Sequence, residues 1–289
     1  MSLHGPAAEA GQDSGRGPRM AHRRGGRSRV TRRLAGILAA LALSLGLWAA
    51  RGLGAIPTMP GPVAWDGADE TGPGTDSAAN PNEAGAWEWD EGEAPDYVRR
   101  TGSGQVDDTL APGEVHYSGL DSLGRAQAVK ACVTKAMVDE GTAREREDIS
   151  DIRPSGWPED NDEVSIELPN GRTYHGWLFN RSHLLAKSLG GKDEAENLVT
   201  GTRTQNVGAN DGRGGIAACE TMVRDWLTQN PKGHVWYDVT PQYEGDELVP
   251  RAVTVDLRSS DGTLDGHYVT YNAVKGFEIE YSDGSWSML

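Results

Sequence analysis

Between Phe179 and Glu220 the chain sets out an Asn180-Arg181-Ser182-His183 tetrad, a polar run from Asn197 to Asn206 (NLVTGTRTQN), and then Glu220 within a helical pattern. An imidazole, a guanidinium, several carboxamides and a carboxylate gathered within about forty residues exceed what an ordinary core segment can satisfy. Together they suit metal-assisted cleavage of a phosphodiester. That reaction needs a base for the attacking water, positive charge for the developing phosphorane, and help for the leaving oxygen.

His183 suits the base, because an imidazole titrates nearest neutral pH and a hydrogen-bond partner can hold it neutral. A lone histidine at a strand end is more often structural, and membership of the tetrad is what favours chemistry here. Asn206 suits a ligand to hard Mg²⁺ or Mn²⁺, which keeps several waters and takes oxygen donors. The scarcity of His and Cys nearby argues against zinc. Arg181 has the planar fork that matches two phosphate oxygens. Glu220 would accept hydrogen bonds from metal-bound waters, or else be an ion-paired helix charge. Arg203, Arg213, Lys187 and Lys192 are candidate local cations for the substrate.

Those residues need elements to hold them. Glu163 to Leu168 alternates apolar and polar residues, Pro169-Asn170-Gly171 turns, and Arg172 to Phe179 continues extended, which predicts a hairpin with the tetrad where its second strand ends. Ile216, Cys219, Val223, Trp226 and Leu227 predict a helix to Gln229, stopped by Pro231-Lys232-Gly233. Upstream, Val129, Cys132, Val133, Ala136 and Met137 follow helical spacing, with Asp121 or Ser122 as the cap. Val115 to Tyr117 is extended, and strands are expected at 234–240, 248–258, 266–273 and 277–281. Helix, hairpin, helix and then antiparallel strands define an α+β domain over residues 97–289. Cys132 and Cys219 each fall in an apolar stripe, which leaves open either a bridge or two free buried thiols.

The rest of the chain is different in kind. Of 289 residues carrying a net charge of −15, the tail 1–33 holds eight Arg against Glu9 and Asp13, hence +6, which leaves −21 for the remainder. So acidic a remainder offers no global attraction for nucleic acid, and a polyanion would have to be held by local cations and a metal. Leu34 to Ala50 is seventeen residues without a charge behind the Arg cluster, at the border between a signal peptide and a membrane anchor. The cluster orients the tail to the cytoplasm and everything beyond residue 51 outside, so an extracytoplasmic domain, anchored or secreted, is expected. Residues 51–96 form an acidic Pro/Gly spacer with ten Asp or Glu after Gly52, expected to be disordered with Trp65, Trp87 and Trp89 solvated.

The ordered motifs resemble the DNA/RNA non-specific endonucleases, ββα-metal (His-Me finger) nucleases, and within them the DNA-entry branch. The tetrad, Asn197 and Asn206 nine apart, and the following Glu220 carry the likeness, supported by Tyr117 to Arg125 (YSGLDSLGR) and Leu248 to Gly262. The family's tetrad is usually Asp-Arg-Gly-His, so Asn180 and Ser182 depart from it, the latter adding a Cβ where glycine permits close approach. The resemblance implies a ββα core on a mainly antiparallel sheet flanked by helices, a Mg²⁺-dependent endonuclease acting on DNA with RNA as a second candidate substrate, and His183 as base. It also implies a substrate-positioning or water-ordering role for Asn197, which local side-chain bonding would equally explain. Two alternatives remain beside it, a weakened nuclease fold kept as a surface binding module and a nuclease toxin. No segment identifies a protein partner.

Overall fold

Val235, Tyr237 and Val239 recur at every second residue, as do Val253, Val255 and Leu257, and that period lines one face of a sheet with apolar groups. The computed structural model, which describes residues 86–289, places this sheet at the centre. The basic tail, the apolar segment 34–50 and the spacer as far as residue 85 lie outside the described residues. Among the described residues no helix is long and apolar enough to cross a membrane.

The chain runs through β1 (Val98–Gly102), β2 (Val115–Tyr117), β3 (Val129–Thr134), α1 (Lys135–Ala143), β4 (Glu163–Glu167) and β5 (Thr173–Trp177). It continues through β6 (Phe179–His183), β7 (Leu198–Thr202), α2 (Arg203–Val207) and α3 (Gly215–Gln229). Strands β8 (His234–Gln242), β9 (Ala252–Ser259), β10 (Asp265–Tyr271), β11 (Phe277–Ile279) and β12 (Trp286–Met288) follow. A six-stranded sheet, antiparallel throughout, has the order β1-β10-β9-β8-β3-β2. Three two-stranded sheets, β4-β5, β6-β7 and β11-β12, complete an α+β architecture.

Helix α3 forms as its apolar spacing predicts and lays Ile216, Cys219, Val223 and Leu227 on one face of the large sheet. Burying each of these side chains in full stabilises the fold by roughly 1.5–3 kcal/mol. Leu184, Leu185 and Leu189, just past the tetrad, enter the same core and so fix the chain that follows His183.

The helix expected from Val129 begins only at Lys135. Residues 129–134 are β3, paired with β8 from Val129↔Val239 to Thr134↔His234. Val129, Ala131 and Val133 face the α3 core, so a two-residue period was present beneath the apparent helical one, and the β-branched valines favour it. Thr134 is the cap of α1, its hydroxyl accepting from the Met137 N–H. Asp121 caps no helix. Its carboxylate accepts from the N–H groups of Leu123 and Arg125 and pairs with the Arg125 guanidinium at 2.7 Å, closing a turn.

That strand assignment also separates the cysteines. Both are free and buried, and alternation along β3 sets Cys132 outside the α3 core in which Cys219 lies, so no bridge joins them. Trp87 and Trp89 differ from expectation as well. They pack with Ala94, Ala252, Val269 and Tyr271, and Trp89 stacks on Tyr97 at 4.5 Å between ring centroids. The packed chain therefore extends upstream of Tyr97.

Candidate active site

The hairpin β4-β5 forms with its Asn170-Gly171 turn, Gly171 taking a φ of 75° that glycine allows without strain. It ends at Trp177 instead of running into the tetrad. Asn161 accepts from the Phe179 N–H and donates to the Phe179 carbonyl, which occupies both backbone groups and releases the chain from β4. Phe179 to His183 then forms a separate strand, β6, paired with β7 from Phe179↔Thr202 to His183↔Leu198. Helix α2 follows at once, capped by the Thr202 hydroxyl, which accepts from the Gln205 N–H. Asn272 binds this unit to the large sheet, donating to the Thr200 carbonyl and accepting from the Thr202 N–H.

On this strand-strand-helix unit, the Asn206 Oδ1 accepts a hydrogen bond from the Ser182 hydroxyl at 3.2 Å. Ser182 is fully buried, and the space for its extra carbon comes from across the ribbon: a Cβ on Gly201 would lie 2.6 Å from that of Ser182. The serine thus orients the amide oxygen on α2 and leaves that oxygen a second lone pair.

His183 lies mostly inside, with 20% of its side chain exposed, and its Nε2 is 2.7 Å from Oδ1 of Asp193, whose side chain is 6% exposed. Burial, more than any other cause, lowers the imidazole pKa below 6.5; the Asp193 contact opposes that, and the nearby Arg146 and Arg144 add to it. The ring is therefore neutral at neutral pH. Arg144 donates to the Gly191 carbonyl and stands 3.7 Å from the other Asp193 oxygen. Exposed Arg146 makes no ion pair among the described residues.

Sequence reasoning missed Asp193, Arg144 and Arg146. Asp193 lies ten residues past His183 in a Gly-Gly-Lys-Asp-Glu stretch that reads as a solvated loop. Pairing of His183 with Leu198 is what folds that loop back on the imidazole. A signal was available in the pairing itself, since the residues just before Leu198 must return to the end of β6.

Several expected site residues have other duties. Asn197 is fully buried, and its carboxamide accepts from the Leu185 N–H and donates to the carbonyls of Leu185 and Lys192. Both of its N–H donors and one lone pair of its oxygen close the 184–197 loop, and the side chain is fully buried. Arg181 donates from Nε and Nη2 to the carbonyls of Ile152 and Ser150 and stacks over Trp157 at 4.0 Å, so part of its fork holds the 150–157 loop. Lys187 donates to the carbonyls of Gly141 and Arg144, capping α1, where a cation meets unpaired carbonyls and the negative end of the helix dipole. Arg203 stacks over Tyr174 at 4.7 Å, and Lys192 pairs with Glu194 and Glu196 over Tyr117. Arg213 alone of the expected cations is exposed without an ion pair among the described residues.

Glu220 is a largely buried residue of α3, and burial pushes its carboxyl up to about 7, opposed by Arg224 at 3.6 Å. Arg224 donates onward to the Ser188 hydroxyl, tying Glu220 to the turn that follows the tetrad. Helix α2, with Asn206, packs against α3.

An antiparallel ribbon feeding a short helix, with an imidazole on the ribbon and an amide oxygen on the helix, defines the ββα class of site. The chain belongs to the DNA/RNA non-specific endonuclease family, whose sequence profile matches residues 105–261. A deoxyribonuclease of Streptococcus dysgalactiae subsp. equisimilis is 32% identical over 209 residues, which are 63% of this chain and 63% of that one. The chain thus spans under two thirds of that relative's length. The structure of Sda1 nuclease with bound zinc ion matches with a TM-score of 0.65 at 36% identity, covering 70% of this chain and 99% of that one. The structure of NucA from Streptococcus agalactiae with magnesium ion bound shares the fold, at a TM-score of 0.52 and 23% identity, covering 64% and 84%.

Proposed function

We propose that the protein is an exported endonuclease that hydrolyses the phosphodiesters of DNA, with RNA as a second substrate, using a divalent cation at Asn206. The observation that carries this is the His183 imidazole, held neutral by burial and oriented by buried Asp193, beside a helix that presents an oriented amide oxygen.

The donor set fits a hard, hydrated cation. Asn206 offers one neutral oxygen, Glu220 a carboxyl suited to receive bonds from coordinated waters, and no group of three His, Cys, Asp or Glu among the described residues forms a closed zinc cage. Mg²⁺ is the proposed occupant, with Mn²⁺ as substitute; the bound ion supplies positive charge to the phosphorane and the leaving oxygen. His183 takes the proton of the attacking water. Arg146 and Arg213 join the cations already engaged with neighbouring groups as the exposed charges open to a phosphate, which suits a domain with so acidic a remainder. Export rests on the Arg cluster and the apolar segment 34–50, and leaves the domain anchored or released.

Digestion of plasmid DNA by the full chain tests this. Cleavage is expected with Mg²⁺ and should cease with EDTA; cleavage that survives chelation would remove the cation from Asn206. A chain that binds DNA without cutting it in Mg²⁺ would make the domain a binding module. Fractionation of the producing cell checks export, since intact chain in the soluble cytoplasm contradicts it.

A further inference from the structure

The Asp193 carboxylate can only accept a hydrogen bond, and it meets Nε2 of His183 at 2.7 Å. The hydrogen between them is therefore carried by Nε2. A neutral imidazole has one N–H, so the lone pair lies on Nδ1, which makes no hydrogen bond among the described residues. We infer that Asp193 is a positioning residue that fixes the Nε2–H tautomer of His183 and so makes Nδ1 the nitrogen that receives the water's proton.

The inference rests on the hydrolytic reading of the site and adds the direction of proton flow. As the water oxygen bonds to phosphorus, its proton passes to Nδ1, and the bond to the leaving oxygen breaks with its electron pair on that oxygen. The imidazolium so formed faces Asp193 across its other N–H. That contact is worth more to the charged ring than to the neutral one, so it favours the transition state over the resting state. The arrangement also explains the investment around Asp193. Its second oxygen stands 3.7 Å from Arg144, Arg144 is held by the Gly191 carbonyl, and Asn197 fastens the chain on both sides, at Leu185 and Lys192. A carboxylate that only filled space at a strand end would not need its loop cross-linked.

Long-range ¹H–¹⁵N spectra of the full chain labelled at histidine, recorded without metal above pH 7.5, read the tautomer directly. The His183 signal is assigned by its loss in His183→Ala. The expected result is a proton on Nε2 and a bare Nδ1. In Asp193→Asn the amide N–H₂ can donate to Nε2, so the pattern should invert and kcat fall at least about a hundredfold with KM little changed. Asp193→Glu should keep the tautomer and recover most of the rate. A wild-type ring protonated on Nδ1 overturns the inference, as does an Asp193→Asn protein with unaltered tautomer and rate. Should Asp193→Asn not fold, the wild-type spectrum and Asp193→Glu still decide. A wild-type chain that carries the proton on Nε2 yet cleaves no nucleic acid would sink the hydrolytic reading and leave the tautomer assignment standing.

Discussion

Two hairpins follow one another in this chain, and each contains a histidine. In β4-β5 the strands are joined by a tight Asn-Gly turn, and His175 is exposed, its Nδ1 bonded to the Ser165 hydroxyl. In β6-β7 they are joined by the long 184–197 loop, and His183 is mostly buried against Asp193. The first hairpin keeps its polar groups in water and buries Ile166 beneath, with Val164 and Tyr174 half-buried beside it. The second buries Ser182, Asn197, Thr200 and Thr202, and gives each a partner. Burying polar groups costs stability unless every hydrogen bond is supplied, so the second hairpin is expensive to build, and that expense marks where chemistry is placed.

The comparison breaks most visibly in rate. His183→Ala should reduce DNA hydrolysis by about 10²- to 10⁴-fold, the usual worth of a general base. His175→Ala should leave it unchanged in the same assay. Equal losses would erase the distinction between the hairpins.

Asn206→Ala should cost a comparable factor for a different reason, measured as loss of Mg²⁺ binding by calorimetry together with activity. Glu220→Gln should be milder, since it acts through water. A variant at Asn206 that binds Mg²⁺ as wild type does would move the cation elsewhere.

Stability sharpens the contrast between two asparagines. Asn197→Ala orphans two buried backbone groups of Leu185, each worth about 1–3 kcal/mol when unmet, and the part-buried Lys192 carbonyl, which water can reach. A net loss of about 3 kcal/mol is expected, or roughly 6–12 °C in Tm for a domain of this size. Asn170→Ala loses one exposed turn contact to the Arg172 N–H, and its Tm should shift by only about 1–2 °C.

Two pH effects are smaller. Because the His183 pKa lies below 6.5 in the folded protein, the neutral base persists on acidification, and the acid limb of kcat/KM should have its midpoint below 6.5. Glu220 shifts the other way. Its folded pKa of about 7 exceeds the ordinary 4.5, so its contribution to stability is complete below about 4.5 and is lost as pH rises through about 7. Without metal, Glu220→Gln should therefore match wild type near pH 4.5 and melt higher than it near pH 8. Identical melting curves at both pH values would place that carboxyl in water.

Local pattern made the first hairpin and α3 legible, because an Asn-Gly turn and an apolar stripe each carry their geometry within a few residues. It failed at β3, where Val129 and Val133 on the sheet's inner face and Cys132 on the other imitated a helical stripe. Residue type singled out His183 and Asn206, and the proposed chemistry keeps both. The partners of Arg181, Lys187 and Asn197 were not legible, since a guanidinium that stacks on Trp157, an ammonium that caps α1 and a carboxamide that closes a loop look no different in sequence from groups turned toward a substrate. Asp193 was illegible because only the closing of the 184–197 loop brings it to the imidazole.

Ser182 and Gly201 bear on how this site can change. Gly201 has no left-handed backbone to require glycine; what bars a side chain there is the Ser182 carbon at 2.6 Å and the Gln205 carboxamide at 2.4 Å. The two positions share one small volume across the ribbon, so neither can drift alone. Ser182→Gly would empty the space and release the Asn206 amide, whereas Gly201→Ala would overfill it. Introduced together, the two would relieve the contact between positions 182 and 201, yet the Gln205 carboxamide would still have to shift and the Asn206 amide would stay untethered. Recombination between chains that keep the small residue on opposite strands would therefore yield one hybrid too crowded and one too loose, and selection would see the pair as a single trait.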